Sequence, residues 1–185
     1  MAPVGGGRYA RAEAEREAAA HGLDLDTILA VATPQRAVRV ISDLLGPTVT
    51  FGPVPAGPHD MATAAATGAV GELTAWREGV TRVVVRVPVA LDLVVTIGSR
   101  RIPAEVDLLV RVGLTGRAAA GAVEIDVDPI TPEDIDADIR TRGVGGVFLR
   151  RLGDLEAEVR HHVGVWASTL LATPEAIREC RISVA

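Results

Sequence analysis

The chain lacks lysine and asparagine entirely, and all 19 of its basic residues are arginine. The absence of lysine excludes several kinds of active site: a Schiff base to a substrate carbonyl, the lysine of a phosphate-binding loop, and a serine–lysine dyad. Together with the abundance of alanine and glycine, this bias is typical of a bacterial genome rich in G and C. The catalytic chemistry open to the chain is therefore narrow.

Cysteine, histidine and aromatic residues are scarce as well. The single cysteine, Cys180, cannot form a disulfide within the chain, so nothing in the sequence requires an oxidising compartment. The four histidines show no ligand-like spacing, and we predict no metal site. Aromatic residues make up only 3% of the chain, so its core must be built from valine, leucine, isoleucine and alanine. No cofactor fingerprint is present, and we predict no cofactor.

Long apolar runs and clustered positive charge are also missing. No stretch reaches the roughly 18 uninterrupted apolar residues of a membrane-spanning helix, and residues 1–22 carry arginine and glutamate where a signal peptide would be apolar. The net charge of −5 argues against nucleic acid as the main partner, because nucleic-acid binding depends on clustered positive charge. We expect a soluble, cytoplasmic protein without an integral membrane segment, and homo-oligomer formation stays open.

The dominant feature that is present is an alternating apolar pattern. Every second residue from Val83 to Ile97 is apolar, and after a turn near Gly98 the pattern resumes from Ala104 to Leu114. Such period-2 alternation predicts an antiparallel hairpin with one buried face. A straight strand over 83–97 would be about 50 Å long at ~3.3 Å per residue, so we expect the hairpin to bend, with Pro88 as the natural place.

Shorter patterns predict the remaining elements. Helices are expected in residues 8–21 and 23–45, and Thr33 followed by proline is a good helix start within the second range. A short strand at 48–51 should give way to a loop over 52–58, because prolines cannot join a central ladder. The other predicted elements are strands at 61–76, 117–129, 135–140 and 182–184 and a long amphipathic helix at 147–171. A helix is the alternative at 61–76 and at 135–140.

These elements predict an α+β fold. In it a curved antiparallel β-sheet wraps around the long C-terminal amphipathic helix, and N-terminal helices accompany them. We divide the chain into a flexible N-terminal tail or helix, residues 1–22, and a single α+β domain, residues 23–185. A strongly curved sheet that holds a helix often leaves a cavity between the two.

The hairpin of small aliphatic residues, the acidic strand at 123–127 and the segment 131–169 resemble the tubular lipid-binding (TULIP) superfamily. In that superfamily a long helix lies in a curled antiparallel sheet and lipid sits between them. A second resemblance is to the START/Bet v 1 type of helix-grip fold, with two N-terminal helices, a curved sheet and a long C-terminal helix. Both cover roughly residues 62–171, and they imply a lipid-binding or other hydrophobic-ligand function.

His162 and Glu72 are the candidate catalytic residues. His162 lies at the edge of the apolar stripe of the long helix, where a histidine with a reference pKa of about 6.5 could act as acid or base. The alternative is a boundary histidine hydrogen-bonded to a backbone carbonyl or water. Glu72 precedes Trp76 by four residues, so both would share a strand face, and a carboxylate beside an indole could be a desolvated base with a raised pKa. The alternative is a glutamate that points to solvent.

The apolar faces of the hairpin and the long helix form the candidate ligand-binding surface. Its predicted residues are Val85, Val87, Val89, Leu91, Leu93, Val106, Leu108, Val110, Phe148, Leu152, Leu155, Val159, Trp166 and Trp76. This large aliphatic surface favours a binding protein for an apolar small molecule such as a lipid, isoprenoid or polyketide. Two alternatives remain: a cofactor-independent cyclase or isomerase of natural-product biosynthesis, which positions a flexible substrate, and a structural or partner-binding protein with a filled core.

Overall fold

A computed structural model describes residues 6–141, 155–173, 176, 178 and 180–183. Within these ranges the helices are α1 (Gly6–Ala20), α2 (Leu25–Val31), α3 (Pro34–Leu45) and α4 (Leu155–Leu171). The strands are β1 (Thr48–Ala56), β2 (Ala62–Val70), β3 (Thr74–Arg77), β4 (Arg82–Ile97), β5 (Arg100–Ala119), β6 (Ala122–Val127), β7 (Ile135–Thr141) and β8 (Arg181–Ser183). The start of the predicted long helix, with Phe148 and Leu152, lies outside the described residues.

The central hairpin of β4 and β5 confirms the alternating pattern. Its register pairs Val83 with Leu114 and continues without a break to Ile97, so the alternating apolar residues of both strands share one face. Nearly all of them are buried, including Val85 and Val95, whose side chains are 0% exposed. Each such buried aliphatic side chain contributes about 1.5–3 kcal/mol relative to exposure, which makes this face the main source of stability.

The other strands extend the hairpin on both sides, giving the order β1-β2-β4-β5-β6-β8 in one eight-stranded antiparallel sheet. β2 and β3 pair with successive parts of β4, whereas β7 and β6 pair with successive parts of β5. The sheet curls strongly into a half-barrel, as predicted. Pro88 lies where the partner of β4 changes from β2 to β3, and its carbonyl accepts a hydrogen bond from the N–H of Gly71 at 2.8 Å.

The predicted loop at 52–58 is wrong in most of its length. β1 continues to Ala56, with an irregularity in its pairing to β2 between Phe51 and Val54. The prolines fit because β1 is an edge strand, where one side of the backbone needs no ladder partner. The strand predicted at 117–129 also needs correction: residues 117–119 end β5, and β6 begins at Ala122 after a turn.

The helices lie on the concave side of the sheet and at one end of it. α4 packs its buried Val163, Gly164 and Ala167 toward the main core, and α3 contributes Ala37 and Ile41 to the same core. At the other end α1 buries one side chain, Ala18, in a small cluster with residues of α2, β5 and β6. The α+β arrangement predicted from the sequence is therefore confirmed.

Local sequence explains where the N-terminal helices begin and end. The Asp24 carboxylate accepts a hydrogen bond from the N–H of Thr27 at 2.6 Å and caps α2. Thr33 caps α3 through a 3.3 Å bond from the N–H of Arg36, with proline at the first helical position, as predicted. α3 then ends at Gly46, whose φ of 68° suits glycine. These caps fix the first turns of α2 and α3 and the end of α3.

Candidate apolar binding site

Three crevices lie along the concave face, between the sheet and the helices α3 and α4. We name each after one residue in its wall: the Arg36 crevice, the Trp166 crevice and the His162 crevice. Their free volumes are about 30, 30 and 50 Å³ respectively. Each is far smaller than the pockets of about 300–1,000 Å³ that enclose drug-sized ligands, so the space between helix and sheet is largely filled.

The His162 crevice lies between α4 and the half of the sheet that contains β1 and β2. Its walls are Phe51, Val54, Ala56, Ala64, Ala65, Ala66, Leu91, Leu93, Val106, Leu155, Glu158, Val159, His162 and Val163. The inward positions of β2 here are alanines, and they leave more room beneath α4 than the valines and leucines of β4 would. The crevice is therefore lined by hydrocarbon, with Glu158 and His162 at its polar margin.

The Trp166 crevice occupies the middle of the concave face. The sheet contributes Val87, Val89, Leu108, Val110 and Val112, the linker before β7 contributes Ile130, and the helices and β1 contribute Ile41, Leu44, Leu45, Phe51, Val163, Trp166, Ala167, Leu170 and Leu171. The rings of Phe51 and Trp166 meet edge to face, with centroids 4.7 Å apart and an interplanar angle of 65°. Phe51 also lines the His162 crevice, so this aromatic pair lies where the two crevices adjoin.

The Arg36 crevice lies at the far end, between α3 and the β4–β5–β6 part of the sheet. Its walls are Val31, Ala32, Thr33, Arg36, Ala37, Val40, Ile41, Leu44, Val83, Leu114, Ile125, Val127, Leu171 and Cys180. The Nε atom of Arg36 is buried and has no hydrogen-bond partner. Most of the wall is aliphatic, so this donor faces an environment that does not satisfy it.

The three crevices lie side by side along one apolar belt, since each shares wall residues with the next. The Arg36 and Trp166 crevices share Ile41, Leu44 and Leu171, and the Trp166 and His162 crevices share Phe51 and Val163. Along β5 the belt runs from Leu114 to Val106, a distance of about 26 Å at ~3.3 Å per residue. This apolar belt, with Arg36 at one end and His162 at the other, is the candidate site.

The structure brings most of the sequence-predicted residues into this belt. Those that line it are Val87, Val89, Leu91, Leu93, Val106, Leu108, Val110, Leu155, Val159, Trp166 and His162. Val85 is fully buried in the core but lines none of the three crevices. Phe148 and Leu152 lie outside the described residues. The predicted surface therefore corresponds mainly to the Trp166 and His162 crevices.

Trp76 does not belong to the belt. In β3 it pairs with Val84 of β4, and directly paired residues share one face of a sheet. Val84 points away from the concave face that Val83 and Val85 occupy, so Trp76 lies on the convex face, 39% exposed. There the guanidinium carbon of Arg86 lies 5.8 Å from the ring centroid of Trp76, a cation–π contact. The prediction that Trp76 lines the ligand site is therefore corrected.

Glu72 also lies away from the belt. Residues 71–73 separate β2 from β3 and have no strand pairing, so Glu72 and Trp76 do not share a strand face as predicted. The side chain of Glu72 is exposed. An exposed carboxylate outside the belt has no route to a ligand held on the concave face.

His162 stands at the margin of the belt beside Glu158. Both oxygens of the Glu158 carboxylate accept the backbone N–H of Gly57, at 2.9 and 3.2 Å. This bond ties α4 to the end of β1, which holds that side of the His162 crevice in place. His162 is half-buried, and the neighbouring His161 points outward and is exposed. The structure places His162 in the wall of the His162 crevice, and its catalytic role stays a prediction.

Sequence reasoning missed the contribution of α3, and of Arg36 above all. The apolar residues of α3 were visible as an amphipathic pattern, but nothing in it says which surface the helix covers. A single arginine on a helix is normally a solvated residue, so its buried Nε could not be anticipated. Phe51 was part of a predicted strand, yet its contact with Trp166 joins residues that are distant in the sequence.

No family model matches the chain, and no curated protein matches it at a significant level. Across the described ranges, every helix is too short or too polar to serve as a membrane span. In the same ranges, histidine, cysteine, aspartate and glutamate side chains nowhere gather in a group of three that could hold a metal ion. The apolar belt therefore stands as the candidate site on its own geometry.

Proposed function

We propose that this protein binds a slender apolar molecule, such as a lipid, an isoprenoid or a polyketide chain, along the apolar belt. The proposal is carried by three adjacent hydrocarbon-lined crevices, which follow one another along the concave face and share wall residues. Burying apolar ligand surface there would be favourable by about 25 cal/mol per Å². A few polar groups at the ends of such a site are enough to orient a ligand.

The small volumes of the crevices define the shape of the ligand. A ring system would not enter spaces of 30–50 Å³, whereas a single hydrocarbon chain requires only that the crevices merge. α4 is suited to a small outward shift, because it fully buries only Val163, Gly164 and Ala167. Its other apolar contacts, among them Val159 and Trp166, are only partly buried.

The two tryptophans provide a direct test, because one lies in the belt and the other on the convex face. In a Trp76→Phe variant, Trp166 is the only fluorophore of its kind, and titration with hexadecanol or farnesol should change its emission and saturate. In the matched Trp166→Phe variant, which retains Trp76, the emission should stay constant. A constant Trp166 signal, together with no bound alcohol in native mass spectrometry, contradicts the proposal and favours a filled structural core.

A blocking variant locates the ligand within the belt. Ala66→Leu places a larger side chain in the wall of the His162 crevice, so it should weaken binding of hexadecanol at least tenfold. Ala69→Leu on the same strand is the control, because Ala69 is exposed on the opposite face of β2. Equal loss of binding in both variants would mean that the alcohol binds elsewhere.

A cofactor-independent isomerase or cyclase is the second candidate, and the position of His162 in the crevice wall favours it. A histidine there could transfer a proton to or from a bound chain without any other group. The test uses the ligand that copurifies from the native host: conversion of that ligand by the wild type but not by His162→Ala supports catalysis. If neither the wild type nor His162→Ala converts the ligand, the protein binds it without catalysis.

A further inference from the structure

Among the described residues, the Nε atoms of Arg36 and Arg160 are buried without a hydrogen-bond partner. Arg160 is paired with Glu156, whereas no ion pair to a carboxylate is found among the described residues for Arg36, whose side chain is half-buried. By contrast, Arg82 pairs with Asp128 just after β6, and Arg140 pairs with Asp138 in β7. A buried donor that has lost water and gained no acceptor carries a free-energy cost. The Nε–H of Arg36 therefore has no acceptor among the described residues, and a bound ligand could supply one.

The surroundings of Arg36 define what that acceptor can be. The crevice around it is mainly aliphatic, and it continues through Ile41, Leu44 and Leu171 into the Trp166 crevice. The group that reaches Arg36 must therefore be small and attached to an apolar chain. The guanidinium is permanently charged and presents several N–H donors in a plane, a geometry that matches a carboxylate.

Thr33 adds a second donor at the same end of the belt. Thr33 lines the Arg36 crevice, and its hydroxyl oxygen accepts the backbone N–H of Arg36, which leaves the hydroxyl proton free to be donated to a ligand. A carboxylate offers two oxygens, one for Arg36 and one for Thr33. A neutral alcohol would leave the arginine charge without a counter-ion in an apolar setting.

We propose that Arg36 is the head-group site of the belt and that the ligand is a long-chain carboxylic acid, held with its carboxylate at Arg36 and its chain toward His162. The proposal rests on the proposed binding function and assigns the chemical class of the ligand. The chain direction follows from the order of the crevices, because only the Arg36 crevice holds a permanently charged side chain without a carboxylate partner among the described residues. The ligand's hydrocarbon chain is then buried along the belt, whereas its carboxylate pairs with Arg36 at one end.

The test compares palmitate with hexadecanol, which share one chain length and differ only in the head group. Binding is measured through Trp166 emission in the Trp76→Phe variant. Palmitate should bind at least tenfold more tightly than hexadecanol. This comparison needs no change at Arg36, so it does not depend on the folding of a variant. Equal affinities would overturn the head-group proposal while leaving the binding function intact; binding of neither compound would contradict both.

Substitution of Arg36 then assigns the effect to this side chain. Arg36→Met keeps an unbranched apolar stem and should weaken palmitate at least tenfold while leaving hexadecanol unchanged. Arg36→Lys retains charge without the planar donors and should recover part of the palmitate affinity. Arg39→Met, at an exposed position on the same helix, is the control and should change neither. An equal loss of both ligands in Arg36→Met would show that Arg36 only packs against the chain and would overturn the proposal.

Discussion

Asp24, which caps α2, makes the stability of the fold depend on pH. Hydrogen bonds from the Thr27 side chain, and then from its backbone N–H, lower the pKa of Asp24 below its ordinary value of 3.8. A carboxyl whose pKa is lower in the folded state stabilises the fold above its unfolded pKa. That contribution disappears as the pH falls through the folded pKa.

We therefore predict that Asp24→Asn, which retains a capping side chain but removes the charge, is less stable than the wild type near neutral pH. The difference should vanish in acid, where Asp24 of the wild type is protonated as well. Urea unfolding at a series of pH values measures it. Asp43→Asn is the control, because Asp43 is exposed near the end of α3 and caps no helix. A difference that persists unchanged in acid would contradict the role assigned to the charge.

Individual residues also show why part of the site escaped prediction. The buried positions of Leu91 and Val106 follow from alternation alone, because a strand that covers a core has one apolar face. The sequence does not show on which face of the sheet Trp76 lies. It depends on which residue of β4 pairs with Trp76, and a shift by one residue exchanges the two faces. The missing partner of Arg36 depends on packing between α3 and the sheet, which no local pattern contains.

Among the structural elements, two glycines show how closely the helices α2 and α4 pack against their neighbours. α2 packs closely on β5: a Cβ added at Gly116 would lie 2.8 Å from the Cβ of Ala32 and 3.1 Å from Cγ2 of Ile28. α4 leaves more space, since a Cβ at Gly164 would lie 3.6 Å from the nearest atom, Cδ1 of Ile135. Close packing therefore requires a glycine at position 116 but not at position 164.

We predict opposite effects of alanine at these two positions. Gly116→Ala should destabilise the protein by about 1–3 kcal/mol, because α2 would have to move away from β5. Gly164→Ala should stabilise it by about 0.5–1 kcal/mol, because it removes a glycine from the interior of a helix without a clash. Chemical denaturation of both variants measures the change. A Gly116→Ala protein as stable as the wild type would show that α2 is not packed against Gly116.

The elements themselves were predicted best where the pattern is long. The hairpin of β4 and β5 is recognisable because more than a dozen apolar residues keep the same period, and β7 is visible in the same way from Ile135 to Ile139. The extent of β1 was missed because the sequence does not say whether a strand is central or at an edge, and only a central strand excludes its prolines. The turn between β5 and β6 was missed because residues 118–122 are all alanine or glycine and carry no alternation.

For the molecule as a whole, the attachment of α1 is the feature that a truncation can test. Ala18 is the one fully buried residue among the described side chains of α1, and it packs against Ile28, Ala118 and Val123. We predict that removal of residues 1–20 lowers the free energy of unfolding by roughly 1 kcal/mol, since little apolar area is lost. Thermal unfolding followed by circular dichroism should remain cooperative. Loss of cooperativity would mean that α1 is part of the folding core rather than an appendage.

The prolines of β1 have a consequence for contacts between molecules. A β-strand at the border of a sheet offers free N–H and C=O groups to which a strand of a second molecule can add. Pro53 and Pro55 provide no N–H, and the irregular pairing after Phe51 disturbs the straight row of donors and acceptors that such an addition needs. The prolines and the irregular pairing of β1 therefore also disfavour the addition of a strand from a second molecule at this edge, and with it aggregation.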